Sequence, residues 1–90
     1  MKTLPEIMNL VSVTSASSIS SGYGHKRITV ELDYKGNIKS FTDISSNMPA
    51  HDDAMDLEGQ AKKDALFAII LNQQGCNDEV TNWIDEIDEQ

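Results

Sequence analysis

Apolar residues along this chain keep two different periods, and the changes between them mark out its elements. Leu4, Ile7, Met8 and Val11 recur at i, i+3, i+4 and i+7, the spacing of one helical face. Thr3-Leu4-Pro5-Glu6 precedes them in capping-box form, with Pro5 in the first turn, where its missing N–H costs nothing. The spacing predicts a short helix over 3–11. Ser12–Ser21 holds no Leu and no charge. In it Val13, Ser15, Ser17 and Ile19 alternate with Thr14, Ala16 and Ser18, which predicts a first strand closed by a turn or flexible loop at Ser20–Gly24. Arg27–Lys35 alternates most clearly. Ile28, Val30, Leu32 and Tyr34 point one way, and Arg27, Thr29, Glu31 and Asp33 the other, as in a sheet covered on one side. Lys35-Gly36-Asn37 turns the chain. Ile38–Ser45 returns as a third strand, with Ile38 and Ile44 on one face and Phe41 on the other, an irregularity that a bulge or an edge position accommodates.

The period then lengthens again. Ser46–Asp56 reads as a polar, acidic loop, and a long helix follows from Asp53 or Asp56 to Gln74, with Gly75 as its C-cap. Leu57, Ala61, Ala65, Leu66, Ala68, Ile69 and Leu71 give that helix a broad apolar face, widened by Phe67 and Ile70. Asn77 is read as the N-cap of a final helix whose stripe is Val80, Trp83, Ile84 and Ile87. Its acidic C-terminal end opposes the helix dipole and is expected to fray. The order is α-β-β-β-α-α over a single domain, 1–90. It predicts an α+β fold: a three-stranded antiparallel sheet with helices packed on one face. The expected core draws on Ile7, Val11, Ile28, Val30, Leu32, Leu66, Ile69, Ile70, Trp83 and Ile84, with Trp83 in the stripe rather than at an interface.

Composition narrows the functional classes. The longest unbroken apolar run, Ala65–Leu71, is far short of the roughly 20 residues of a membrane span. The N-terminus has no long apolar stretch, and a lone cysteine, Cys76, cannot form an internal disulfide. Both features point to the cytoplasm and away from a membrane. Cys76 has no His near it in sequence and no nucleophile motif around it, so it reads as a packed thiol. His25 and His51 are the only histidines. His51-Asp52-Asp53 lacks the three or four spaced ligands of a zinc site, so no metal is expected. Gly22-Tyr23-Gly24 opens no helix and is not a phosphate loop, and no serine lies in an elbow motif. The chain is therefore read as a binding protein, not an enzyme, and without a cofactor.

Charge changes the picture most. The net charge is −8, and it is uneven. Residues 1–45 carry five Lys or Arg against four acids, whereas residues 46–90 carry two against eleven. An acidic half of this kind solubilises, and it also suits a basic partner. The candidate partner-binding residues are Asp52, Asp53, Asp56 and Glu58 at the loop and helix start, and Asp85, Glu86 and Asp88 on the last helix. Tyr23, in a Gly-flanked loop without apolar neighbours, joins them as an exposed contact residue. A homodimer is compatible with this reading.

Two resemblances bear on the partner. In length, acidity and α-β-β-β-α-α order the chain resembles small acidic phage-encoded inhibitors, including anti-CRISPR proteins. That resemblance implies carboxylates occupying a basic nucleic-acid-binding cleft of an effector. Separately, Gly24-His25-Lys26-Arg27-Ile28-Thr29-Val30-Glu31-Leu32 and Gln60-Ala61-Lys62-Lys63-Asp64-Ala65-Leu66 resemble parts of a double-stranded-RNA-binding domain over residues 3–74. That alternative implies nucleic acid as partner, with contacts from His25, Lys26, Lys62 and Lys63. The chain departs from the pattern in its acidic insertion before the helix, in a Lys pair set a turn inside it, and in its overall charge. An anionic module binds phosphate poorly.

Overall fold

A computed structural model describes residues 2–90. The elements run α1 (Leu4–Leu10), β1 (Ser12–Ser20), β2 (Lys26–Tyr34), β3 (Asn37–Ser45), α2 (Met48–Met55), α3 (Gly59–Leu71) and α4 (Gln74–Asp88). The strands form one antiparallel sheet in the order β1-β2-β3. Its architecture is α+β, with one helix more than the sequence pattern suggests.

The helices start and stop for local reasons. Thr3 and Glu6 close the capping box of α1: the Glu6 amide donates to Thr3 Oγ1 and the Thr3 amide to Glu6 Oε1. The expected loop at 46–56 is mostly the helix α2. Asn47 caps it by accepting from the Ala50 amide at 3.2 Å, and Pro49 occupies its first turn. The expected long helix from Asp53 or Asp56 is thus split. The chain turns between Asp56 and Gly59, where Gly59 has φ +60°, a conformation that favours glycine. The last helix begins at Gln74, so Gly75 is not a C-cap and Asn77 is not an N-cap. The Asn77 side chain is buried instead. Its Nδ2 donates to the Lys2 carbonyl and its Oδ1 accepts from Thr81 Oγ1, tying the N-terminal segment to α4.

In β2 the alternation holds as read. Ile28, Val30, Leu32 and Tyr34 are buried against the helices, and Arg27, Thr29, Glu31 and Asp33 lie on the other face. β1 departs from its expected phase. A bulge between Val13 and Ser15 leaves Thr14 unpaired, with its Oγ1 bonded to Glu31. Past the bulge the sides exchange. Val13 is buried, Ala16 and Ser18 turn to the helices, and Ile19 is exposed on the open face. β3 pairs with β2 without a shift and is an edge strand. Phe41, opposite Val30, is on the core side, and Ile38 and Ile44 are exposed on the open face.

α3 crosses all three strands, α4 packs on β3, and α1 and α2 pack against α3. Of the ten expected core residues all are buried but Ile69, which is half-buried. Trp83 fits edge-on between Tyr34 and Phe41, with ring centroids 6.3 and 5.5 Å away. Such pairs add about 0.5–1.5 kcal/mol beyond area burial. Among the described residues no helix is long and apolar enough to cross a membrane.

Candidate functional site

The sheet separates the two acidic clusters. α2 sits beside β1, where His51 Nε2 lies 2.7 Å from Ser18 Oγ. α4 sits over β3 and reaches the β2–β3 turn at its C-terminal end. Since β2 lies between β1 and β3, the clusters flank opposite edges of the sheet.

On the β3 side the carboxylates are used internally. Asp88 Oδ1 accepts from the Tyr34 hydroxyl at 2.7 Å and from Lys35 Nζ at 2.9 Å. The Lys35 and Tyr34 bonds hold the Asp88 carboxyl below the usual carboxylate range, and the Asp88 bond raises Lys35. Asp85 pairs with Lys2 at 3.5 Å. These ties link the C-terminal half of α4, which runs to Asp88, to the N-terminal segment and to the β2–β3 turn. Glu86 is the member of this set without an ion pair among the described residues.

On the β1 side the carboxylates face water. Asp52, Asp53, Asp56 and Glu58 are all exposed. Among the described residues none of them pairs with a Lys or Arg, and only Asp52 has a ring nitrogen within 4 Å, that of His51 at 3.8 Å. Asp52 and Asp53 occupy the last turn of α2, and that turn holds no basic residue. Carboxylates at a helix C-terminus oppose the dipole, at about 0.3–1 kcal/mol each. Helix stability therefore does not account for their position. Glu58 differs, standing just before the positive end of α3.

His51 falls in the segment expected as a polar loop, and the structure instead places it on α2 and buries it to 6% exposure. The signal for this is the spacing Met48, His51, Ala54 behind Asn47 and Pro49, an i, i+3 pattern after a helix start. With Ser18 and Asp52 it makes a superficial Ser-His-Asp arrangement. The geometry does not support nucleophilic catalysis. His51 Nδ1 is 3.8 Å from Asp52 Oδ1, beyond hydrogen-bond reach, and has no hydrogen-bond partner among the described residues. The Asp52 carboxylate is 75% exposed, so it does not fix the ring. The Ser18–His51 bond instead ties α2 to the edge strand. Cys76 is buried, and burial, helped by Asp43 and Glu79, pushes its thiol up to about 12, far from thiolate chemistry at neutral pH. No cluster of three or more potential metal ligands occurs among the described residues.

Tyr23 is fully exposed, at φ +50° between Gly22 at +86° and Gly24 at +77°. Its loop joins β1 to β2 at the end of the sheet where β3 leads into α2, because Lys26 is aligned with both Ser20 and Ser45. The cations of the alternative reading are dispersed. His25 and Lys26 lie at that same end, and Lys26 Nζ donates to Ser20 Oγ. Lys62 and Lys63 follow Gln60, whose Nε2 donates to the Val13 carbonyl near the far end of β1. From Val13 to Ser20 the strand covers roughly 20 Å, so the four do not form one patch.

Beside the acidic edge, α2 and α3 leave a largely apolar groove of about 610 Å³, with Leu4 also in its lining and Asn47, Asp53 and Asn72 as its polar members. No family model, curated protein or solved structure matches the chain, so the reading of this edge rests on its own geometry.

Proposed function

We propose that the chain is a small protein-binding inhibitor or modulator that lays the carboxylates of α2 and the α2–α3 turn on a basic surface of its partner. One observation carries this reading: Asp52, Asp53 and Asp56 stand exposed and without a Lys or Arg partner, at the end of a helix whose dipole disfavours them. Charges that cost folding stability and form no internal bond are available to an outside partner. The resemblance to small acidic phage-encoded inhibitors suggests the partner's class, an effector with a basic nucleic-acid-binding cleft. Tyr23 contributes as an exposed aromatic at the same end of the sheet as the start of α2. Asp85 and Asp88, by contrast, are engaged with Lys2 and with Tyr34 and Lys35.

The test begins with a partner captured from lysate and then purified. Its association rate is measured against ionic strength for the wild type, for Asp52→Asn with Asp53→Asn, Asp56→Asn and Glu58→Gln, and for Asp85→Asn with Glu86→Gln and Asp88→Asn. Steering by the first cluster predicts an association about tenfold slower at low salt, with a flatter salt dependence, for the first variant alone. Equal rates and slopes for all three proteins defeat the proposal. So does tight, salt-dependent binding of duplex RNA by the wild type.

A further inference from the structure

We infer that the groove between α2 and α3 receives an amphipathic basic helix of the partner, with apolar side chains in the groove and Lys or Arg on its acidic rim. This rests on the reading of α2 as the partner-binding edge, and adds the chemistry of what binds there. The groove exists because both helices present small residues to it. Ala50 and Ala54 face Ala65 and Ala68 at helical spacing, and four methyl groups cannot fill the space between two helices. Leu57 and Ile69 complete an apolar wall, and the volume of about 610 Å³ has room for more than one large side chain. Leu57 is 43% exposed and its neighbour Met55 42%, so apolar surface continues out of the groove toward the acidic turn.

The charges select the occupant. Asp53 is part of the groove lining, and Asp52, Asp56 and Glu58 stand exposed next to it in the chain. No Lys or Arg lines the groove. No Lys or Arg occurs between Ser46 and Ala61, where four acids do, and Lys62 and Lys63 begin the next turn of α3. A second copy of this chain is a poor occupant, because each copy carries −8 and a two-fold contact would set the acidic turn against itself. A helix fits a channel between two helices by ridge-into-groove packing, with anchors at i, i+3 or i+4, and i+7. Cationic residues flanking those anchors complement the rim.

The probe is a synthetic 18-residue amphipathic helix of Leu and Lys, compared with a peptide of the same composition whose Leu positions are scrambled. Amide shift mapping by NMR gives the site and the affinity. The ordered peptide is expected to shift Ala50, Ala54, Ala65 and Ala68, and to bind about tenfold more tightly than the scrambled one. Ala50→Leu and Ala68→Leu, made separately on different helices at half-buried positions, fill the groove, and each is expected to weaken the ordered peptide about tenfold. Asp53→Asn with Asp56→Asn is expected to flatten the salt dependence. Equal binding of both peptides, shifts outside the groove, indifference to both Leu variants, or dimerisation of the free chain through this face would each overturn the inference. Preferential binding of a small apolar molecule over the helix would do the same. The captured partner separates the two proposals. If α2 neutralisation slows its association and the Leu variants do not, the groove inference fails while the acidic edge stands. If neither changes it, both fail.

Discussion

The two edges of the sheet carry similar acids and treat them in opposite ways. Over β3, Asp88 binds Tyr34 and Lys35, Asp85 binds Lys2, and Trp83 is held between Tyr34 and Phe41. Beside β1, α2 is tied to the strand by Ser18 and His51, and its carboxylates point into water. Charge count does not distinguish these regions. What distinguishes them is whether a cation from another element arrives within bonding distance. The difference separates acids bonded to groups from other elements from acids that stand exposed without such a bond, and it can be tested side by side.

The largest effect belongs to the β3 side. Trp83→Ala removes a large side chain from between two aromatic rings and is expected to cost about 3–5 kcal/mol. In a chain this small that is most of the folding free energy. Urea unfolding followed by circular dichroism should show a largely unfolded variant; a loss below about 1 kcal/mol would mean that α4 is not the anchor described. The β1 side should yield less. Ser18→Ala leaves the buried His51 ring without its hydroxyl partner, at about 1–3 kcal/mol. Hydrogen exchange should then quicken in α2 while α4 keeps its protection. Uniform loosening of both helices would show that the Ser18–His51 bond is not a local tie. A smaller change of opposite sign is expected from Asp52→Asn with Asp53→Asn. Removing two carboxylates from the last turn of α2 should raise stability by a few tenths to about 1 kcal/mol. A loss of stability would show that these acids make a favourable contact within the fold.

The sequence shows β2 and most of the core because strict alternation and i, i+3, i+4 stripes report burial directly. It conceals the division at the acidic turn. Asp56, Leu57 and Glu58 continue a helical pattern without interruption along the chain, whereas the backbone breaks at Glu58, which is extended at φ −129° and ψ 158°, and at Gly59, at φ +60°. It also conceals the phase of β1. In a run of Ser, Thr and Val either face looks alike, so the bulge at Thr14 leaves no trace. The acidic candidates were all legible as acids, but their differing surroundings were not. Asp88 and Asp53 look equivalent along the chain. They separate only when the β2–β3 turn brings Lys35, 53 positions away, onto Asp88. Long-range ion pairs of this kind have no local pattern.

The finest test of the comparison is pH. The Lys35 and Tyr34 bonds hold the folded Asp88 carboxyl below its ordinary value. Its contribution is therefore complete above the unfolded carboxylate value of about 3.9 and is lost as pH falls through the lower folded value. Lys35 is displaced the other way, upward, chiefly by its bond to Asp88. Its contribution is complete below the unfolded lysine value of about 10.4 and is lost as pH rises through the higher folded one. One pair thus acts on both limbs of a stability profile. Both groups are solvent-accessible, so the effect is small and weakens with salt. Glu6, lowered chiefly by the backbone hydrogen bond with Thr3, adds to the acid limb alone, so Glu6→Gln is the control. Thermal midpoints from acid to alkaline pH should show Asp88→Asn losing slope at both ends. Glu6→Gln should lose it only at the acid end. Asp52→Asn with Asp53→Asn should keep the alkaline limb of the wild type. A profile for Asp88→Asn that overlays the wild type at both ends would mean that the β3 edge holds its acids no more firmly than the β1 edge does, and the contrast between them would reduce to the packing of Trp83.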